Sequence, residues 1–260
     1  MRITVLGSGT SSGVPTIGCS CATCLSDDPH DKRLRTSIWI EAGTTSIVVD
    51  TSNDFRAQCL RANIKALDAV LYTHHHFDHI AGFDDIRAFN FAQRRPMAIY
   101  AMPETIQNLR RIFEYAFRGN EPRESSAPVV VVHEILDDAF DISGVQLQPL
   151  ELRHGRMRVN GYRCGSFAYC TDCNAISERA RELLHGIDVL ILDGLRYSPH
   201  PTHLTIDQAV ELAQSIGARQ TYLTHIAHDV RHVEAQERLP AGVALAYDGL
   251  VIELPDPQGI

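Results

Sequence analysis

Residues 71–82 read LYTHHHFDHIAG, and the six positions from His74 to His79 hold four histidines and one aspartate. The cluster follows a short apolar run, Ala69–Tyr72, which reads as a strand. Imidazoles and carboxylates at the end of a buried strand gain nothing from packing, and metal chemistry is the natural use for them. If the segment is extended, His74 and His76 share one face and His75 points away. Asp78 and His79 are adjacent and diverge unless the backbone turns, so the spacing suits two neighbouring cations better than one.

Further ligands are expected just beyond other apolar strands. His154 follows Val145–Leu152, Asp172 follows the strand ending at Cys170, and His225 follows Thr221–Thr224. Asp50, at the end of Ser46–Val49, is placed to orient a ligand histidine, and Asp248 either does likewise or makes a turn. His30, His133, His185 and His232 read as surface or packing residues.

The chain has 260 residues, 44% hydrophobic and 22% charged, which is ordinary for a globular protein with a sizeable core. No apolar stretch approaches the roughly 20 residues that span a bilayer, and no export signal is visible, so a cytoplasmic location is expected. The net charge of −8, with no Lys/Arg-rich run, makes nucleic acid an improbable partner. A small anionic substrate is still compatible, because bound cations reverse the local field.

Strands are expected at Ile3–Leu6, Ser37–Ile40, Ser46–Val49, Ala98–Ala101, Val129–His133, Val145–Leu150, Ser166–Cys170, Val189–Leu192 and Thr221–Thr224. Helices are expected at Asn53–Ala62, Pro103–Phe117, Ala175–Leu184, and from the capping box at Thr205–Gln208 to Gly217. Arg118–Pro128 reads as a loop, and Ala244–Leu254 as a closing hairpin. Strands and helices in both halves suggest a layered α/β architecture of two similar halves, a single domain over residues 1–260.

The seven cysteines are an odd number, and Cys19, Cys21 and Cys24 form CxCxxC inside a Cys-rich loop at about 15–30. One more ligand would complete a closed tetrahedral zinc site, and His228, three residues after His225, is the candidate. Gly7-Ser8-Gly9 superficially resembles a dinucleotide loop, but a proline and cysteines follow where a helix would open. Cys59 and Cys164 carry no signal, and Cys170 and Cys173 read as packing thiols.

THHHFDH fits the THxHxDH signature of the metallo-β-lactamase superfamily, which the chain resembles from Met1 to about Leu254. The resemblance implies an αββα sandwich with two divalent ions, Zn or Mn, at one edge. It implies one ion on His74, His76 and His154, and a second on Asp78, His79 and His225, with Asp172 bridging and Asp78 also counted as catalytic. Such a pair can lower the pKa of water to about 7 and hold phosphoryl oxygens. After the ligand and hydroxide charges are subtracted, the site keeps about +1, which suits phosphate esters.

GVPTIGCSCATC, THHHFDH and LTHIAH together resemble the cyclic phosphodiesterase branch of that superfamily. Its best-understood member type opens 5-phosphoribosyl 1,2-cyclic phosphate in phosphonate breakdown. The branch implies a structural zinc on Cys19, Cys21, Cys24 and His228 and a proton donor from PHPTHLT, placed at His203 with His200 competing. It also makes a homodimer plausible. Expected, then, is a dinuclear-metal phosphodiesterase acting on a small cyclic phosphate. Two alternatives share parts of the pattern: a tRNA 3′-processing endonuclease, and a non-catalytic carrier of cofactor biosynthesis. Arg87, Arg94 and Arg95 are nearby cations for a second substrate phosphate.

Overall fold

The computed structural model describes residues 1–117 and 126–257, so most of the expected loop at Arg118–Pro128 lies outside the described residues. In the first half the strands are β1 (Arg2–Gly7), β2 (Ser37–Ala42), β3 (Thr45–Val49), β4 (Ala69–Leu71), β5 (Met97–Ala101) and β6 (Val130–Glu134). Between them run α1 (Phe55–Ala62), α2 (Phe77–Ile80), α3 (Arg87–Gln93) and α4 (Pro103–Ile112). The second half opens with β7 (Phe140–Ile142), β8 (Val145–His154), β9 (Met157–Cys164), β10 (Phe167–Cys170) and β11 (Ala175–Ile176). It continues through α5 (Glu178–Leu183), β12 (Val189–Asp193), α6 (Ile206–Ile216), β13 (Gln220–Thr224) and α7 (His232–Gln236), and closes with β14 (Val243–Leu245) and β15 (Val251–Glu253).

The strands form two mixed sheets. The first has the order β15-β1-β2-β3-β4-β5-β6, parallel from β3 onward. The second has the order β11-β8-β9-β10-β12-β13-β14, parallel from β10 onward, with β7 beside β8. Each half thus repeats one plan, an antiparallel start followed by parallel strands.

Period-two alternation builds the layers. Ile47, Val49, Ala69 and Leu71 face Phe167, Tyr169, Val189 and Ile191 in a core between the sheets. Val48 and Val70 point the other way, onto Phe55, Phe83, Phe89 and Leu109 of the first helical layer. Leu190 and Leu192 likewise pack outward on Ala209, Leu212 and Ile216 of α6. Helices on both outer faces and apolar side chains on both faces of each parallel strand make an αββα sandwich.

Two local expectations need correction. The last strands make no hairpin: β14 runs parallel to β13 in the second sheet, whereas β15 pairs antiparallel with β1 in the first. Asp248, in the crossing between them, accepts from Ser8 N, Ser8 Oγ and Leu34 N at 2.9 Å each, which ties the turn to the first sheet. Asp248 therefore braces loops and orients no ligand histidine. The helix expected from Ala175 begins only after Ser177, whose hydroxyl caps Ala180 N, because Ala175 and Ile176 pair with β8.

β3 and β4 share a direction in the first sheet, and β8, β10, β12 and β13 share one in the second; residues at or just past their C-terminal ends gather along one edge of the sandwich. Two hydrogen bonds tie the end of β4 to the second sheet there, Tyr162 Oη to Tyr72 O at 2.7 Å and Asn160 N to Thr73 O at 3.0 Å.

Candidate active site

β4 delivers Thr73 and His74 to this edge, and at His76 (φ −64°, ψ 149°) the extended chain turns into α2. That one-turn helix supplies the turn that Asp78 and His79 need. Gly82 lets it settle on the neighbouring loop, since a Cβ there would meet Ser52 O at 2.3 Å and Phe55 Cβ at 2.6 Å. Asp50, Asp172 and His225, each just past the end of a strand, hold φ of 65°, 53° and 60°. Non-glycine residues in the left-handed region cost energy and persist where the surroundings over-determine them.

The expected ligands converge. Nitrogen atoms of His74, His76 and His154 lie within 4.8 Å of one another, as do the ligand atoms of Asp78, His79, Asp172 and His225. Asp172 lies between the sets: its Oδ1 is 3.3 Å from His79 Nε2, and its Oδ2 is 3.3 Å from His225 Nε2 and 4.0 Å from His74 Nε2. His76 is the exposed member, whereas His74 and His79 are fully buried.

Whether these residues fit cations can be judged from their unsatisfied atoms. Nε2 of His74, His79 and His225 are all buried without a hydrogen-bond partner. Buried polar atoms are nearly always paired, so three orphaned imidazole nitrogens facing two carboxylates have the chemistry of an N/O metal nest. The donors fit divalent cations.

The other ring nitrogens of His79 and His154 are held from behind. Asp50 Oδ2 accepts from His79 Nδ1 at 2.7 Å and from Thr73 Oγ1 at 2.9 Å, and Asp50 Oδ1 accepts from Thr73 N at 2.8 Å. His154 Nδ1 lies 2.9 Å from the carbonyl of Thr202. These contacts fix which nitrogen points inward.

Charge follows the same geometry. Burial disfavours the imidazolium of His79, yet Asp172, Asp78 and Asp50 outweigh it and hold the pKa well above the usual value. Burial likewise opposes charge on His225, but Asp172 leads a group of acids that raises it. His74 lies well below its usual value through burial, and His154 is lowered to about 4 for the same reason.

His203 sits against both nests, its ring stacked on His225 at 4.6 Å and edge-on to His154 at 4.6 Å. Its Nδ1 is 2.7 Å from Oδ2 of Asp193, a fully buried carboxylate that also accepts from Cys173 N at 2.9 Å. His200 lies a further 5.0 Å away, with its Nδ1 turned to the Thr202 hydroxyl at 3.2 Å. Asp193 was not among the sequence-level candidates; the signal for it is an acid closing the all-apolar strand VLILD.

The Cys loop also assembles. Sγ of Cys19 and of Cys21 lie 3.3 and 3.4 Å from His228 Nδ1, and Cys24 completes a four-atom group within 4.8 Å. The Cys24 N–H and His228 bring the Cys21 thiol down to about 6, so thiolate is available at neutral pH. A buried ion pair, Arg33–Asp31 at 3.0 Å, locks this loop to the segment after His225 through Ala227 O and His232 N.

Other expectations resolve plainly. His75 takes no part in either nest. His133 stacks on Tyr100 at 4.4 Å, and His30 on His232 at 4.6 Å. Cys170 and Cys173 are fully buried, with thiols raised by burial. Arg87 is paired to Asp84 and Arg95 to Asp68, and Arg94 ends α3 in the left-handed conformation.

Comparison with known proteins agrees with this architecture. Residues 45–226 match the model of the β-lactamase superfamily domain. A crystal structure described as a new diphosphatase from the PhnP family superposes with a TM-score of 0.92, at 43% identity over 99% of both chains. An octanoyltransferase of Porphyromonas gingivalis is 41% identical over 265 residues, covering 100% of this chain and 53% of its own. This chain thus spans about half the length of that relative. A ribonuclease Z of Mycobacterium sp. (strain KMS) is 25% identical over 76% of this chain and 79% of its own. The chain belongs to the metallo-β-lactamase superfamily, and within it is PhnP-like. That fold implies binding of divalent metal. Among the described residues, no helix is long and apolar enough to cross a membrane.

Proposed function

We propose that the protein is a metal-dependent phosphodiesterase that opens a small cyclic phosphodiester, phosphoribosyl 1,2-cyclic phosphate or a related cyclic nucleotide. The observation that carries this reading is Asp172 set between two buried, imidazole-rich nests, with the braced His203 against both. The 43%-identical relative described as a diphosphatase supports phosphoryl chemistry.

His74, His76 and His154 would hold one cation, and Asp78, His79 and His225 a second, with Asp172 shared. When bound, two divalent ions supply an activated water near neutral pH and neutralise charge growing on phosphoryl oxygens. The chain's own groups do the rest. Asp50 and Thr73 keep His79 and His74 aimed inward, and Thr202 does so for His154. Asp193 accepts from His203 Nδ1 and fixes the ring, so that Nε2 is the nitrogen left to hand a proton to the departing alkoxide. Zinc or manganese suits the N/O nests, and zinc suits the cysteine nest, which gives three ions per chain.

The test is turnover. Zn- and Mn-loaded protein is assayed on phosphoribosyl 1,2-cyclic phosphate and 2′,3′- and 3′,5′-cyclic nucleotides, with and without chelator. Hydrolysis that chelation and His76→Ala both abolish is expected; no turnover of any cyclic diester by loaded protein overturns the reading. A tRNA 3′-endonuclease is the second reading, favoured by the ribonuclease Z relative. The net charge of −8 and the lack of a Lys/Arg-rich run weigh against it. The carrier reading is weakened because every expected ligand position is filled.

A further inference from the structure

A ligand histidine usually gives its second ring nitrogen to a partner that fixes the ring. His79 leans on Asp50 in this way, His154 on the Thr202 carbonyl and His74 on the Thr73 hydroxyl. Among the buried ligand histidines His225 is the exception. Its Nε2 faces Asp172 at 3.3 Å, but its Nδ1 is buried and has no hydrogen-bond partner. The stack on His203, with centroids 4.6 Å apart, sets the plane of the ring and supplies no hydrogen bond. The aim of His225 therefore rests on its backbone, which is held in the left-handed region at φ 60°.

The backbone just beyond His225 is gripped by the N-terminal loops. Ile226 N donates to Ser8 O at 2.9 Å, and Thr10 N to Ile226 O at 3.1 Å. The buried Arg33 guanidinium donates to Ala227 O at 3.2 Å, and Asp31 Oδ1 accepts from His232 N at 2.8 Å. Between those holds stands His228, three residues after His225, and the cysteine loop holds it. Its Nδ1 meets Sγ of Cys19 and Cys21 at 3.3 and 3.4 Å, and its carbonyl accepts from the Cys21 thiol at 3.5 Å. Thiol contacts are weak, and a soft cation would replace them with bonds to all four donors.

We propose that the cysteine nest is a positioning element for the active site: a cation there clamps His228 and so holds His225 at the angle it needs beside Asp78, His79 and Asp172. Filling the cysteine nest then strengthens ion binding at the aspartate-rich nest, and by linkage the reverse holds with the same factor. The nest of His74, His76 and His154 takes no ligand from this segment and changes little. The coupling requires the metal nests but no particular substrate, so it stands or falls apart from the phosphodiester reading.

The test reads metal binding, not turnover. Metal-free wild-type protein is titrated with Mn²⁺, which suits N/O donors, while electron paramagnetic resonance counts the free ion. The titration is repeated after one equivalent of Cd²⁺, a soft cation that thiolates capture first. Cadmium is expected to tighten one of the two Mn²⁺ steps about tenfold and to leave the other within twofold. His225→Ala should remove the step that tightens, which assigns it to the aspartate-rich nest. Cys24→Ser should leave both steps indifferent to cadmium. No tightening, equal tightening of both steps, or a cadmium effect that survives Cys24→Ser overturns the coupling. A cysteine nest that only stabilises the fold would raise the thermal midpoint with cadmium while both Mn²⁺ steps stay where they were.

Discussion

Asp50 Oδ2 lies 2.7 Å from His79 Nδ1, and both side chains are fully buried. The contact assigns the proton to Nδ1 and leaves Nε2 to face Asp78 and Asp172. A buried carboxylate behind a ligand imidazole raises its basicity and fixes its angle.

Asp50→Asn keeps the shape, and asparagine tolerates the positive φ. Affinity for the ion at Asp78, His79, Asp172 and His225 should fall about 10- to 100-fold, with the other nest little changed. Competition against a chelator of known affinity reads this; an unchanged binding curve would show that the contact is only structural.

Acid should empty the two nests in order. A group with a raised pKa holds its proton until pH exceeds that value, so cations must displace protons from His79 and His225. His74, held well below its usual value by burial, and His154, lowered to about 4, already stand neutral near pH 7. Each displaced proton costs up to about tenfold in affinity per pH unit. Metal content measured between about pH 8 and pH 6 should show the aspartate-rich nest losing its ion first; loss of the His74, His76 and His154 ion first contradicts the charge pattern.

A proton donor matters most for a poor leaving group. His203→Ala should lower kcat about 10²- to 10⁴-fold on substrates that release an alkoxide, and far less on bis(p-nitrophenyl) phosphate. Asp193→Asn should show the same selectivity with a smaller loss. Equal losses on both substrate types would make the pair a packing element.

Cys21→Ser removes the thiol poised at about 6. Elemental analysis should find one ion fewer per chain, and the thermal midpoint should fall, because binding at such a nest contributes to folding. Full metal content in the variant would refute a site on Cys19, Cys21, Cys24 and His228.

Much of the site was legible because metal chemistry writes itself into residue type: His74 to His79 announce it, and His154, Asp172 and His225 each follow an apolar run. The αββα layering was harder to read from pattern and came from the resemblance to the superfamily. Four-residue α2 is too short to show a helical period, so the turn at His76 was open. The β14–β15 hairpin misled because Asp248-Gly249 is good turn chemistry, while the partners of the two strands lie in different sheets. Asp193 escaped because burial of an acid shows only when the strand's neighbours are known.

Each nest draws on both sheets: positions 74–79 come from the first, and 154, 172 and 225 from the second. Neither half can complete a cage by itself, so the cations can enter only after the halves have docked. Ions held in this way would act as rivets set last, joining after the folding transition state. Stripping them should leave the folding rate nearly unchanged and make the finished protein come apart sooner.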